Sequence, residues 1–255
     1  MPLGQIVRAW GAVDYEPDLR FFNHLWHVAK ERYTRKEADP ESGFEHWRTD
    51  SRSVLLTDTL RHDSMVISFK RMHFEAADSA DPEGAVHRLA THIRQALHGL
   101  NQPSLKRMGL KLAIYADLGL PFETIRDHMR PLCLPENTEL SRLTSNEVTD
   151  VALCYYYKRN GNTGMLRAGP MLKKQGIHWL HNTGDLKNLF PPAEERGDFV
   201  AFCDSVPGAF LYFELDMYRD TPSPNAEWTK FASEAYTHIE SVFTGLKSLA
   251  RGTAQ

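Results

Sequence analysis

Two carboxylates on one predicted strand are the residues whose type and spacing best suit chemistry. The segment 208–219 is strand-like, and side chains alternate between the two faces of a strand, so Glu214 and Asp216 share one face. At a rise of about 3.4 Å per residue, they lie about 7 Å apart. Such a pair could bind a divalent cation or act as general acid and general base, so Glu214 and Asp216 are the candidate catalytic residues.

The same two residues also fit a purely structural role, and we favour that interpretation. Carboxylates on an exposed polar sheet face pair readily with basic side chains of neighbouring strands. The basic residues on other predicted strands are Arg8, Lys70, Arg107 and Lys111.

A polar stripe along one predicted helix is a second candidate site. His87, Arg94 and His98 recur at helical spacing, so they line one side of the helix. The stripe gains positive charge when the histidines protonate below about pH 6.5. These three candidate binding residues could contact a phosphate backbone or an acidic partner. A solvated helix face is the alternative that we favour.

A run of three tyrosines followed by two basic residues could stack nucleic-acid bases. Tyr155, Tyr156 and Tyr157 precede Lys158 and Arg159, and ferredoxin-like sheets of RNA-recognition modules stack bases on strand aromatics. Tyr155 and Tyr157 fall on the same strand face as the apolar Val151 and Leu153, so both are predicted to lie in the core. Tyr156 and Lys158 lie on the other face and are the candidate binding residues, although the RNA-recognition consensus is missing.

No metal site and no cofactor is predicted. His24 and His27 lie one helical turn apart, as do His178 and His181, but zinc needs a third or fourth ligand and the sequence indicates none. The chain also lacks a phosphate-binding loop, a Gly-x-Ser-x-Gly motif, a His-Glu-x-x-His motif and a dinucleotide fingerprint. The histidine pairs are therefore interpreted as polar residues at the edge of the core.

The composition is that of an ordinary globular protein. Of 255 residues, 42% are hydrophobic and 25% are charged, which excludes the disordered, collagen-like and coiled-coil classes. The net charge of −3 argues against a protein that coats nucleic acid generally. The chain has three cysteines without a Cys-x-x-Cys pair, no signal-peptide pattern and no apolar run of membrane-spanning length. These features predict a cytoplasmic protein.

The first half of the chain alternates strands and helices. The predicted strands are 5–15, 53–60, 64–75 and 105–117, and the predicted helices begin at Pro17 and Asp81. Asp81 is the expected N-cap of the second helix, because Pro82 follows it. Residues 34–52 are predicted to form a charged loop, and Asp63 a turn between the middle strands. The order β-α-β-β-α-β is that of a ferredoxin-like unit, with helices on one face of an antiparallel sheet.

The second half is rich in strands and ends in a long helix. Asn160-Gly161, after the strand-like segment 148–158, predicts a two-residue hairpin turn because both positions need a positive φ. Strands are also predicted at 199–204 and 208–219, and an apolar stripe predicts the helix 226–250. The fold class is therefore α+β, an antiparallel sheet covered by helices.

The two halves, 1–130 and 148–255, are expected to be either separate domains or parts of one continuous domain. A further hypothesis is that the second half repeats part of the first, as strands followed by a helix. No identity between residues of the two halves supports such a duplication.

Three short segments are similar to motifs of one protein family. Residues 107–112 (Arg-Met-Gly-Leu-Lys-Leu) match a strand motif Arg-x-Gly-Leu-Arg-Tyr, with Leu112 in place of the tyrosine. Residues 215–218 (Leu-Asp-Met-Tyr) are similar to a late-strand motif Leu-Asp-Ile-Asp, and residues 238–243 fit the end of a closing helix. The chain thereby resembles a sporadically distributed family of uncharacterised bacterial proteins. The resemblance implies an α+β protein with the patchy distribution of accessory and defence genes, and it implies no particular reaction.

These observations predict a non-enzymatic binding or assembly protein, an accessory component of a bacterial antiviral or mobile-element system. The expected partner is another protein or a second copy of the chain, a nucleic acid is the alternative partner, and no membrane contact is expected. The alternative function is RNA or nucleotide processing, with or without a metal, through the face that carries Glu214 and Asp216. Catalytic groups can be assembled from distant residues, so missing motifs alone do not exclude it.

Overall fold

A nine-stranded antiparallel sheet runs through both halves of the chain. This computed structural model describes residues 5–17, 44, 46–49, 53–58, 63–79, 81–100, 103–134, 149–176, 207–222 and 227–253. The strands are β1 (Gln5–Tyr15), β2 (His46–Thr49), β3 (Ser53–Asp58), β4 (Asp63–Ser68), β5 (Arg71–Ser79), β6 (Leu105–Ala116), β7 (Leu153–Arg159), β8 (Asn162–Leu172) and β9 (Ala209–Asp220). The long helices among these residues are α1 (Pro82–Gly99), α2 (Phe122–Cys133) and α3 (Trp228–Ala250), and residues 173–176 are also helical.

The main core lies between one face of the sheet and the three helices, and a smaller buried cluster of Ala113, Tyr115, Phe210 and Tyr212 lies on the opposite face. Helix α1 packs on β1 and β5, α2 on β8 and β9, and α3 on β6 and β9. The predicted core face of β9 is confirmed, because Leu211, Phe213 and Leu215 are fully buried in this core. The α+β class, an antiparallel sheet covered by helices, is therefore confirmed. Within the described residues, no helix is long and apolar enough to cross a membrane.

Local sequence signals placed several element ends correctly. Strand β1 covers the predicted residues 5–15, and α1 starts directly after Asp81, whose side chain accepts a hydrogen bond from the Gly84 amide at 2.9 Å. In the predicted hairpin turn, φ is 49° at Asn160 and 76° at Gly161, and a two-residue hairpin requires such positive values at both positions. The helix predicted to begin at Pro17 and the strand predicted at 199–204 lie outside the described residues.

Other element boundaries differ from the prediction. The chain reverses between β4 and β5, where a single strand 64–75 was expected. The Ser68 hydroxyl stabilises this reversal by donating to the Arg71 carbonyl (2.8 Å) and accepting from the Arg71 amide (3.2 Å). Because this turn contains no Gly, Pro or Asn, its sequence carries no strong turn signal. With this additional strand, the ferredoxin-like order of the first half is not confirmed.

Two further predictions in the first half are wrong. Residues 46–49, inside the predicted loop 34–52, form β2 and pair with β3. Asp63 does not lie in a turn but begins β4, where it is 2% exposed and accepts hydrogen bonds from Arg88 of α1 (2.8 and 3.2 Å). This long-range partner explains how a buried carboxylate is tolerated inside a strand.

The strand order has an internal two-fold pattern. Strands β1 and β6 are antiparallel neighbours, and the order outward is β5-β4-β3 on one side and β9-β8-β7 on the other. In the chain, β3-β4-β5 is followed by α1 and β7-β8-β9 by α3. The arrangement agrees with the hypothesis that the second half repeats the first as strands followed by a helix.

Candidate functional site

The predicted carboxylate pair lies on the sheet face opposite α1, α2 and α3, which we call the open face because none of these three helices packs on it. Glu214 is directly opposite Ala113 of β6 and Arg167 of β8. Asp216 is opposite Lys111 of β6. Both carboxylates therefore have a basic residue directly across the sheet, which is the arrangement that stabilises cross-strand pairs.

Glu214 is held by three side chains. Its Oε1 lies 3.0 Å from Lys111 Nζ and 3.7 Å from Arg167 Nη1, and the Tyr212 hydroxyl donates to its Oε2 at 2.7 Å. The residue is only 3% exposed, so the predicted exposed polar face is wrong at this position. Lys111 is one of the predicted partners, whereas the contribution of Arg167 was not recognised from the sequence. The negative charge of Glu214 is therefore balanced by two basic side chains inside the protein.

Burial shifts the ionisation of the two groups beside Glu214. The pKa of Tyr212 is raised strongly, first by burial and then by the charge of Glu214, so its hydroxyl stays protonated and continues to donate. The pKa of Asp216 is also raised by burial, against the opposing effects of Lys111 and Arg107. Tyr212 therefore stays a protonated phenol, and the charged form of Asp216 is disfavoured.

Two of the other predicted basic partners form ion pairs with different carboxylates. Arg107 lies 3.4 Å from Asp220 and stacks over the Tyr218 ring, 4.1 Å from its centroid. Arg8 of β1 forms an ion pair with Glu75 of β5. Lys70 is exposed in the turn between β4 and β5.

The described side chains around Glu214 and Asp216 differ from the donor set of a known metal centre. Divalent cations such as Ca²⁺ and Mg²⁺ bind where several oxygen ligands converge. No cluster of three His, Cys, Asp or Glu side chains suited to a metal is found in the described part of the chain. Lys111 and Arg167 already place two positive charges at Glu214, and these would repel a metal ion.

The histidine stripe lies in a different layer of the protein. His87, Arg94 and His98 are exposed on α1, which packs on the helical face of the sheet. The sheet therefore separates these three residues from Glu214 and Asp216. The structure does not combine the two predicted sets into one site.

Strand β7 is at one end of the order of the described strands, and it exposes most of its side chains. Tyr156 is 68% exposed on the open face, and Lys158 is exposed beside it. Tyr155 is 51% exposed, so its predicted core position is wrong. The reason is the place of β7 in the sheet, because an edge strand has a neighbour on one side only.

Tyr157 of β7 is half-buried against α3, on the core side of the sheet that the alternation of side chains predicted. Its hydroxyl lies 2.8 Å from Nε2 of His238, and Nη1 of Arg159 lies 2.9 Å from Nδ1 of the same ring. A guanidinium can only donate, so Nδ1 accepts and the proton of the neutral ring is assigned to Nε2. Burial, and then Arg159, lower the pKa of His238. This chain of contacts joins the edge strand to the last helix.

The edge strand belongs to a strongly basic segment. Residues 151–176, which we call the basic hairpin, contain β7 and β8 and no Asp or Glu. Their basic residues are Lys158, Arg159, Arg167, Lys173 and Lys174. Five of the 30 Lys and Arg residues lie here, which leaves 25 against 33 Asp and Glu in the rest of the chain. A charge count along the sequence could have revealed this asymmetry.

Comparison with protein-family models finds no match for this chain. Comparison with curated proteins finds no match either.

The open face brings two of the three predicted sets near each other. Asp216 is opposite Met165 of β8, which in turn is opposite Tyr156 of β7. With neighbouring strands about 4.8 Å apart, Asp216 and Tyr156 lie in one row about 10 Å from each other. The difference between them is access, because the carboxylates are largely buried and the Tyr156 ring is exposed.

Proposed function

We propose that this protein is a non-enzymatic binding protein that docks a protein partner along β7. One observation carries the proposal. The large hydrophobic side chains exposed in the described part of the chain are Tyr155, Tyr156 and Leu172, and all three belong to the basic hairpin. Tyrosine is enriched in protein interfaces, and the outermost strand of a sheet, which β7 is among the described strands, is a ready template for another strand.

The state of the carboxylates supports binding rather than catalysis. Glu214 Oε2 accepts a hydrogen bond from Tyr212, its Oε1 lies beside the charges of Lys111 and Arg167, and the residue is only 3% exposed, so a substrate or a metal ion would meet a carboxylate that is buried and already balanced by positive charge. RNA binding is the competing proposal, and it rests on Tyr156 beside Lys158. Membership of an antiviral or mobile-element system stays a prediction from the resemblance.

Photo-crosslinking inside the native host tests this proposal. A benzoylphenylalanine is placed at position 155 or 156 of the full chain, and a control is placed at Ser241, an exposed residue of α3. We expect one abundant protein adduct from the two β7 positions and none from the control. The adduct should be resistant to ribonuclease.

Three results would overturn the proposal. A ribonuclease-sensitive adduct would favour the RNA alternative, and equal adducts from Ser241 would show that β7 is not a particular surface. Absence of any adduct at both β7 positions would also contradict it.

A further inference from the structure

The hairpin turn determines which backbone groups of β7 face outward. Asn160 and Gly161 both have positive φ, and Arg159 pairs directly with Asn162 across the turn. In such a two-residue hairpin the flanking pair exchanges both backbone hydrogen bonds, and hydrogen-bonded pairs then alternate along the strands. Arg159, Tyr157 and Tyr155 therefore bond to β8. The amides and carbonyls of Cys154, Tyr156 and Lys158 point away from the sheet.

The side chains beside these outward groups carry positive charge. Lys158 is exposed on the open face, in line with Tyr156. Arg167 of β8 lies on the same face, and half of its side chain is exposed although it approaches Glu214. A strand added beside β7 would meet the positive charge of Lys158 first, and the basic hairpin itself contains no acidic residue.

We infer that the partner segment recognised by β7 is an extended acidic peptide that adds to the sheet as a tenth, antiparallel or parallel strand. This inference rests on the proposed function and specifies its partner. Backbone hydrogen bonds to Cys154, Tyr156 and Lys158 supply the pairing, and acidic side chains opposite Lys158 supply the selectivity. Tyr156 covers the incoming backbone from the open face.

Two other occupants fit the surface less well. A second copy paired through β7 would place two basic hairpins side by side, neither of which contains an acidic residue, so the like charges would repel. A nucleic acid needs several basic groups for its phosphates. Arg159 is engaged with His238, and Arg167 lies close to Glu214. The outward row of alternating donors and acceptors matches a polypeptide strand.

Fluorescence anisotropy with the full-length protein tests the inference. The probes are a labelled heptapeptide of alternating Glu and Val, the same peptide with Lys in place of Glu, and a labelled oligouridylate. We expect saturable binding of the acidic peptide alone, weakening as salt is raised. Lys158→Glu should lower that affinity by about tenfold. Lys230→Glu, at an exposed lysine of α3, is the matched control and should leave it unchanged.

Two variants at one position separate strand addition from simple charge attraction. Tyr156→Pro removes an outward amide without removing a bond to β8, so the protein should fold but lose the acidic peptide. Tyr156→Val keeps that amide and should retain most of the binding. Circular dichroism and thermal melting confirm that both variants are folded.

Several outcomes would overturn the inference. Equal binding of the Lys peptide would remove the charge argument, and unchanged binding by Tyr156→Pro would remove the strand-addition argument. Binding of oligouridylate in competition with the acidic peptide would assign the surface to RNA. Failure of the acidic peptide to bind, with a protein adduct still formed at position 156 in the host, would reject the acidic strand and leave the proposed function standing.

Discussion

Lys111 and Glu214 form an ion pair along a diagonal between two neighbouring strands of the sheet. Lys111 Nζ lies 3.0 Å from Glu214 Oε1, although the residue directly opposite Lys111 is Asp216. The lysine therefore reaches two residues along β9 to the more deeply buried of the two carboxylates. Asp216 is half-buried, and its burial raises its pKa.

The first half of the chain contains an equivalent pair. Arg8 of β1 is directly opposite Ala77 of β5 but forms its ion pair with Glu75, again two residues away. Glu75 is 6% exposed. Each half thus has one buried glutamate on the strand before its long helix, paired with a base on a central strand. The repetition follows the two-fold pattern of the strand order.

Neutralising Glu214 is expected to destabilise the protein rather than remove an activity. Breaking a buried ion pair costs about 3–5 kcal/mol, and the partial exposure of Lys111 reduces this, so Glu214→Gln should cost about 2 kcal/mol. Asp216→Asn should cost less than about 1 kcal/mol, because burial already disfavours the charged form of Asp216. Urea unfolding of both variants measures the difference, and equal costs would contradict the structural role.

The contacts of His238 predict a pH dependence of stability. The pKa of His238 is lowered in the folded protein, so the unfolded chain binds the proton more readily. The stability that His238 contributes is therefore fully present above its unfolded pKa of about 6.5, and it is lost as the pH falls through the folded pKa. Protonation also prevents Nδ1 from accepting the hydrogen bond of Arg159.

This dependence is measured as the difference between the wild type and His238→Gln, since glutamine can still accept and donate but does not titrate. The free energy of unfolding is determined by urea titration between pH 5 and pH 8. We expect the advantage of the wild type to shrink as the pH is lowered. Parallel curves would show that the ring does not titrate in this way.

The Asn160-Gly161 turn predicts a specific cost for a methyl group. Gly161 has a φ of 76°, a conformation that costs an L-residue about 1–2 kcal/mol. Gly161→Ala should therefore lower the stability by about 1 kcal/mol. Gly208→Ala is the matched control, because a Cβ there meets no atom within 4 Å and its φ is not positive. Thermal unfolding checks the pair, and similar melting temperatures would refute the strain.

The contact between β1 and α1 predicts a non-additive pair of substitutions. A Cβ on Gly11 would lie 2.5 Å from Cδ2 of the buried Leu89. Gly11→Ala should cost about 1–3 kcal/mol by overpacking, and Leu89→Ala about 2–5 kcal/mol by leaving a cavity. The double variant should cost less than the sum by at least about 1 kcal/mol, since the added methyl group occupies the space that leucine vacates. Additive costs in urea unfolding would disprove this close approach.

Local signals in the sequence were sufficient for part of this protein. The capping side chain of Asp81, the Asn160-Gly161 turn and the alternation along β9 were all predicted, because each depends on residues adjacent in the chain. The reversal after Ser68 was missed, because the serine side chain stabilises it without a glycine or proline. The α+β class follows from the order of strand and helix signals.

Only the tertiary structure decided which candidate residues are accessible. The alternation of side chains along a strand predicted Tyr155 in the core and Glu214 on an exposed polar face. In the structure, Tyr155 is 51% exposed and Glu214 is 3% exposed. Parity assigns a residue to one face of a strand, whereas burial depends on the place of that strand in the sheet and on the side chains across it. Strand β7 lies at the edge, and β9 lies between β6 and β8, which supply Lys111 and Arg167. That order is set by pairings between distant segments, which the local sequence of a strand does not contain.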